Sequence, residues 1–231
     1  MTVPTMLTGG AAAWQPSDEA SCALWLPASD LVSVGDGNPL VQWNDSSGNG
    51  RHATPSTGSA TVSENIFGSS TWAVNFTGAQ RLSLASSFTL TGEFTIAAMW
   101  HQRVMTGSVR YIIFSGSGGS DRPMAVSSTG TGEGEVWYTG QTNLVAADTY
   151  FQATDYYSLT ARDGSDNLFH DQDGVDIGNA VTGASDAVFT HIGATNGNGE
   201  DFDSYITELM VFSGHNVDLR ANVNAHMAAL F

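Results

Sequence analysis

From Cys22 to Phe212, short apolar and aromatic runs alternate with clusters of Gly, Ser, Asn and Asp. The first run is Cys22-Ala23-Leu24-Trp25-Leu26. Residues 93–100 and 109–114 are rich in β-branched and aromatic side chains, and the Gly/Ser stretch 115–120 closes the second of them, so both read as strands. Trp72-Ala73-Val74-Asn75-Phe76 and Arg81-Leu82-Ser83-Leu84 flank Gly78 and predict a hairpin. Residues 156–162 and 167–170 flank Asp163-Gly164-Ser165-Asp166 and predict a second one, with an Asp-Gly turn. Residues 205–212 form the last strong strand. Strand signals at this spacing, without helical patterns between them, predict an all-β chain folded as a two-sheet antiparallel sandwich. Only the C-terminus looks helical: Asn216 can cap, and Leu219, Val223, Met227 and Leu230 recur on one face. Residues 1–13 are small and weakly apolar and read as an arm; residues 14–231 read as one domain. No repeat of fixed period and no heptad pattern is present.

Composition agrees with that pattern. A chain of 231 residues, 41% hydrophobic and 10% aromatic, is long enough to bury a sizeable core, and 26 glycines supply turns. One cysteine, Cys22, excludes an internal disulfide and reads as a small buried hydrophobe. Charge changes the picture more. The 23 acidic groups face seven arginines and no lysine, for a net charge of −16. Such a surface repels phosphate backbones and anionic lipid, which argues against nucleic acid and membrane surfaces as partners. No stretch reaches the length of an apolar membrane span. Met1-Thr2-Val3-Pro4-Thr5-Met6 has neither the basic nor the apolar region of a secretory signal, so with Met1 as the natural start the expectation is synthesis in the cytoplasm.

Four ordered segments resemble the laminin-G-like branch of the concanavalin A-like lectin/glucanase superfamily. The first is Trp25-Leu26-Pro27-Ala28-Ser29-Asp30 followed by Trp43-Asn44-Asp45-Ser46-Ser47-Gly48-Asn49-Gly50-Arg51-His52-Ala53; it is similar to W-L-D-A-S-D and W-x-D-x-S-G-N-G-x-H-A, departing at Pro27. Val74-Asn75-Phe76-Thr77-Gly78 resembles V-x-F-D-G. Asp173-Gly174-Val175 resembles a ligand-side D/N-G-V hairpin. Ile192-Gly193 and 206–212 resemble I-G followed by I-x-E-V-x-V-F and a closing helix. The resemblance implies a jelly roll of two antiparallel sheets packed face to face with a short C-terminal helix. It implies fold more than function, because this fold hosts enzymes, lectins, adhesion modules and virion proteins.

Candidate chemistry is sparse. Laminarinase-like relatives carry E-x-D-x-E, which alternation aims into one cleft. The nearest match, Glu133-Gly134-Glu135, is followed two positions on by Trp137 and reads as a solvated turn. Metalloprotease H-E-x-x-H and the G-x-S-x-G elbow are absent, and the six histidines lack zinc spacing. The expectation is a protein that is not an enzyme. Calcium is the best cofactor candidate: Asp171, Asp173 and Asp176 bring three carboxylates to one turn, and hard oxygen ligands are what that ion takes; the alternative is an exposed hydrated turn. It is not an EF-hand, since the twelfth position from Asp171 is Thr182. A second acidic turn is Glu200-Asp201-Phe202-Asp203. Trp100, Tyr111, Trp137 and Tyr138 could offer sugar-stacking faces, against the alternative that they fill the core; Trp25 and Trp43 read as packing, and His52 as bonded within its own loop.

Two functional expectations remain open. One is a bacteriophage virion surface protein, a capsid decoration protein or head fibre, made in the host cytoplasm and attached to capsid or other virion proteins through residues 1–13. The other is a carbohydrate-binding or adhesion module that takes a cell-surface glycan, in a phage receptor-binding tip or an extracellular bacterial protein.

Overall fold

The computed structural model describes residues 13–66, 71–78, 80–102, 110–115, 124–128, 134–138, 142–145, 155–181, 186–193 and 202–230. In chain order the strands are β1 (Cys22–Leu26), β2 (Ala53–Thr57), β3 (Thr61–Glu64), β4 (Trp72–Gly78), β5 (Arg81–Leu90), β6 (Phe94–Gln102), β7 (Arg110–Ser115), β8 (Met124–Ser128), β9 (Gly134–Tyr138), β10 (Thr142–Val145), β11 (Asp155–Arg162), β12 (Asn167–Gln172), β13 (Val175–Val181), β14 (Ala187–Gly193) and β15 (Phe202–Phe212). They are followed by the helix α1 (Val217–Ala228).

One sheet runs β13-β12-β11-β6-β15-β4-β3, with β1 also paired to β15; the other runs β10-β9-β8-β7-β14-β5-β2. The pairings are antiparallel. The fold is therefore the predicted two-layer sandwich with a short C-terminal helix. Alternation selects which side chains enter the inter-sheet layer: from β6 these are Phe94, Ile96, Ala98 and Trp100, all fully buried. The facing sheet contributes Leu82, Phe114, Phe189 and Ile192. Phe114 and Phe189 meet edge to face with ring centroids 5.2 Å apart.

A bulge between Ile206 and Glu208 reverses the alternation of β15. Phe202 and Ile206 before it, and Leu209 and Val211 after it, all join the inter-sheet core. Met210 and Phe212 then face outward, beside Ala97 and Met99 of β6 and Tyr157, Leu159 and Ala161 of β11. Helix α1 covers this second apolar patch with Leu219, Val223 and Met227, the stripe read from the sequence. The Asn216 side chain accepts the Leu219 amide at 2.8 Å, as expected of a cap. The unbroken apolar run at the end of β15 follows from this: both of its faces are covered.

Two local expectations change. Strands β4 and β5 do not form a hairpin; the link after Gly78 carries the chain from one sheet to the other, and β4 pairs with β15 while β5 pairs with β14. Val74 and Phe76 enter the core from one side and Leu82 from the other, which a hairpin within one sheet would not allow. Glu135 lies in β9 and pairs across to Ser127 and Val145 instead of sitting in a turn, while Glu133 lies outside the described residues. The Asp-Gly hairpin of β11 and β12 forms as predicted: the Asp163 carboxylate accepts the Ser165 and Asn167 amides at 2.8 and 2.9 Å.

The most specific sequence motif proves to be a loop fastener. The Asp45 carboxylate, nearly buried, accepts backbone N–H groups from Trp25, Ser47 and Arg51 at 3.1, 3.0 and 2.8 Å. The Asp45 amide donates to His52 Nδ1 at 3.0 Å, so His52 does bond within its own loop. Trp43 is fully buried and donates Nε1–H to the Pro27 carbonyl at 2.9 Å. Cys22 is buried as expected, and burial pushes its thiol up to about 12.

One end of the inter-sheet layer is polar. Trp100 Nε1 donates to Ser158 Oγ at 3.1 Å, and that hydroxyl donates to Gln172 Oε1 at 2.8 Å. His170, fully buried, pairs Nδ1 with Thr160 Oγ1 at 2.9 Å, while its Nε2 has no partner. Burial holds this imidazole down to about 4 from its usual 6.5. The unfolded chain therefore binds a proton near pH 6.5 that the folded chain refuses until about pH 4. The stability contributed by neutral His170 is complete above pH 6.5 and falls by about 1.4 kcal/mol per pH unit on the way down. Urea unfolding of the protein and of His170→Asn at pH 7 and pH 5 checks this; the variant is expected to lose less stability between the two, and an equal loss would refute the assignment.

Candidate functional site

The outer face of the β15 sheet, where the C-terminal half of α1 meets the segment before β1, forms an open cleft of about 360 Å³. It is lined by Ala13, Trp14 and Gln15 on one side and by Asn222, Ala225, His226, Ala229 and Leu230 on the other. Trp14 and His226 are half-buried, and their rings meet edge on at 5.9 Å. Trp14 also packs against Phe212 and donates Nε1–H to Glu19 Oε1 at 3.0 Å. Its side chain is thereby held from both ends. Gln15 is exposed, and its backbone N–H donates to the Asp18 carboxylate at 2.8 Å, which fixes the turn that carries Trp14.

Behind His226 sits Glu208, a carboxylate in the middle of an apolar strand. It is almost fully buried, yet each oxygen has a donor: Trp25 Nε1 at 2.8 Å and His226 Nε2 at 2.7 Å on Oε1, and the Ala28 amide at 3.4 Å on Oε2. Against a carboxylate the imidazole nitrogen must be the donor, so the tautomer with hydrogen on Nε2 is set and Nδ1 is left as the other ring nitrogen. The arrangement is an aromatic wall with fixed hydrogen-bonding groups beside it, suited to a molecule with one apolar face and a rim of polar groups. A second cleft of about 300 Å³ opens on the other side of the last helical turn; it shares Ala229 and Leu230 with the first and is lined also by Ala28, Ser29, Val32, Thr71 and the half-buried Trp72.

The acidic turn named as a calcium candidate has a different geometry. Asp171 lies on the outer face of β12 and is buried, and Arg220 of α1 pairs with it through Nε at 2.6 Å and again through its terminal nitrogen. Arg220 also reaches Asp176 at 2.9 Å, and Asn224 donates to Asp171 at 2.8 Å. Asp173 sits in the turn with positive φ and accepts the Tyr157 amide at 3.0 Å. A guanidinium thus stands between Asp171 and Asp176, where the residue types had suggested a metal ion. Among the described residues no group of three or more His, Cys, Asp or Glu side chains is placed to hold one. Hydrogen bonds from Arg220 and Asn224 outweigh burial and keep the Asp171 carboxyl below its usual range.

The aromatic candidates fare unevenly. Trp100 is fully buried in the core and presents no face to solvent. The side chains of Tyr111, Trp137 and Tyr138 lie outside the described residues, as do Glu200 and Asp201 of the second acidic turn and residues 1–12 of the arm. Trp14, Trp72, Asn222 and His226 had carried no signal. Glu208 did carry one: a single charge inside an apolar strand needs a buried partner.

No family model matches the chain, and no curated protein matches it. Solved structures do. Trypanosoma rangeli sialidase in complex with 2,3-difluorosialic acid, a covalent intermediate, superimposes with a TM-score of 0.62 at 15% identity, over 99% of this chain and 35% of that one. The same sialidase in complex with sialic acid gives 0.61 at 14% identity, over 95% and 34%. The binding domain of botulinum neurotoxin DC in complex with rat synaptotagmin II gives 0.58 at 11% identity, over 94% and 53%. The chain spans about a third of the sialidase chains and about half of the toxin domain. At these identities the likeness is one of fold. It corrects one expectation: the missing paired carboxylates had set the chain apart from enzymes, yet its whole length is matched within the chain of a sialidase.

Proposed function

We propose that the chain is a carbohydrate-binding module whose sugar site is the Trp14 cleft. The observation that carries this reading is the pairing of a half-buried tryptophan with Gln15, Asn222 and a tautomer-fixed His226 in one open cleft. The C–H face of a pyranose stacks on an aromatic ring while its hydroxyls bond to fixed polar groups, and Trp14 is held for that by Glu19 and Phe212. A solved sialidase of similar fold, in complex with sialic acid, supports a sugar over other hydroxylated ligands. Display on a virion, with attachment through residues 1–13, would add a location to this reading and rests on sequence features alone; the laminin-G-like relationship likewise rests on the four motif segments.

Glycan-array binding of the full chain tests the site. The protein is expected to hold at least one oligosaccharide, and Trp14→Ala to weaken that binding about tenfold or more, roughly 1.4 kcal/mol. Trp100→Phe, which alters only a core residue, is expected to leave it unchanged. Absence of any bound glycan, or undiminished binding by Trp14→Ala, would overturn the proposal.

A further inference from the structure

We infer that this cleft sorts glycans by charge, admitting uncharged sugars and turning away those with carboxylates, sialic acid included, and that Glu19 and Glu208 are the groups that do so. The inference rests on the glycan-binding reading above and narrows its ligand class.

The two aromatic residues of the cleft are each backed by a carboxylate. Glu19 Oε1 lies 3.0 Å from Trp14 Nε1, and Glu208 Oε1 lies 2.7 Å from His226 Nε2. Asp18, one residue before Glu19, is bound to the Gln15 amide in the same turn. A sugar between Trp14 and His226 therefore meets two walls each backed by a carboxylate, and Glu208, removed from water, has its field screened less than a surface charge would.

None of the residues lining the cleft is an arginine. The four arginines whose side chains are described serve elsewhere: Arg51 binds the Ala23 carbonyl, Arg81 meets Thr57, Arg162 pairs with Asp166, and Arg220 pairs with Asp171 and Asp176. Residues 1–12 contain no charged side chain. Of the lining side chains, His226 is held to Glu208 through Nε2. A net charge of −16 over the whole chain adds a long-range field of the same sign. Recognition of an anionic sugar is best served by a guanidinium, and none stands among the described residues that line the cleft.

The test is an array carrying matched glycans with and without terminal sialic acid, probed with the full chain and with Glu19→Gln. Gln keeps an acceptor for Trp14 Nε1 and removes only the charge. The protein is expected to bind uncharged members about tenfold or more above their sialylated partners, the gap narrowing in Glu19→Gln and at high salt. Equal or stronger binding of the sialylated members, or a gap untouched by both Glu19→Gln and salt, would overturn the charge-sorting inference while leaving the sugar site standing. No binding to any member would overturn the glycan reading itself and this inference with it.

Discussion

Arg220→Ala is expected to lower the free energy of unfolding by about 3–5 kcal/mol, because it leaves a buried carboxylate without its cation. Asp171 is 2% exposed and Arg220 21%, so the pair is well shielded from water. The guanidinium reaches two carboxylates from two elements, Asp171 on β12 and Asp176 on β13, and lies 5.5 Å from the Phe169 ring centroid. Arg220→Lys is expected to recover only part of the loss, since an ammonium cannot bridge both acids in that planar geometry. The sign of the pH dependence follows from Asp171. Its folded pKa lies below its unfolded value, so its contribution is complete above the unfolded pKa, near 3.8, and is lost as pH falls through the folded one. Urea unfolding at pH 7 measures the change, and a loss under about 1 kcal/mol for Arg220→Ala would show that the pair is only a surface contact.

Trp43→Ala is expected to cost about 3–5 kcal/mol, a large share of the roughly 5–15 kcal/mol that holds a domain folded. The indole is fully buried against the inter-sheet core, and its removal also deletes the shorter of the two hydrogen bonds to the Pro27 carbonyl. Trp43 further exchanges both backbone hydrogen bonds with Ala53, at 2.8 and 2.9 Å, closing the loop that Asp45 fastens. Guanidinium unfolding, with the midpoint falling at nearly constant slope, is the expected signature. A midpoint unmoved by the substitution would place Trp43 outside the core.

How far the site was legible varies with the range of the interaction that makes it. His52 and Asp45 lie seven residues apart, and a glycine turn lets the intervening chain fold back, so a bond from His52 within its own loop was legible, while its partner was not. The α1 stripe of Leu219, Val223 and Met227 was visible for the same reason, being periodic within one element. Trp14 and His226 are separated by most of the chain, and neither belongs to a pattern; only the docking of α1 on the outer face brings them together. The three acids at Asp171, Asp173 and Asp176 show the opposite hazard. They are close in sequence, but alternation turns Asp171 toward the helix, and Arg220, forty-nine residues away, meets it there. The hairpin expected around Gly78 did not form, because a turn signal states that the chain reverses and not whether the next strand pairs with the last or crosses to the facing sheet.

Read alone, the order of residues in this chain determined the elements and the layer architecture. Those depend on side-chain alternation, turn geometry and capping, all of which act over a few neighbouring positions. Its composition likewise determined the sign and size of the electrostatic field. What only the tertiary structure decided was which face of the β15 sheet the helix covers, which acid Arg220 neutralises, and which tryptophan stands at a cleft instead of in the core. Each of these depends on contacts between elements far apart in the chain; the bulge between Ile206 and Glu208, which shifts the later side chains of β15 to the opposite face, supplies the apolar seat that the helix covers.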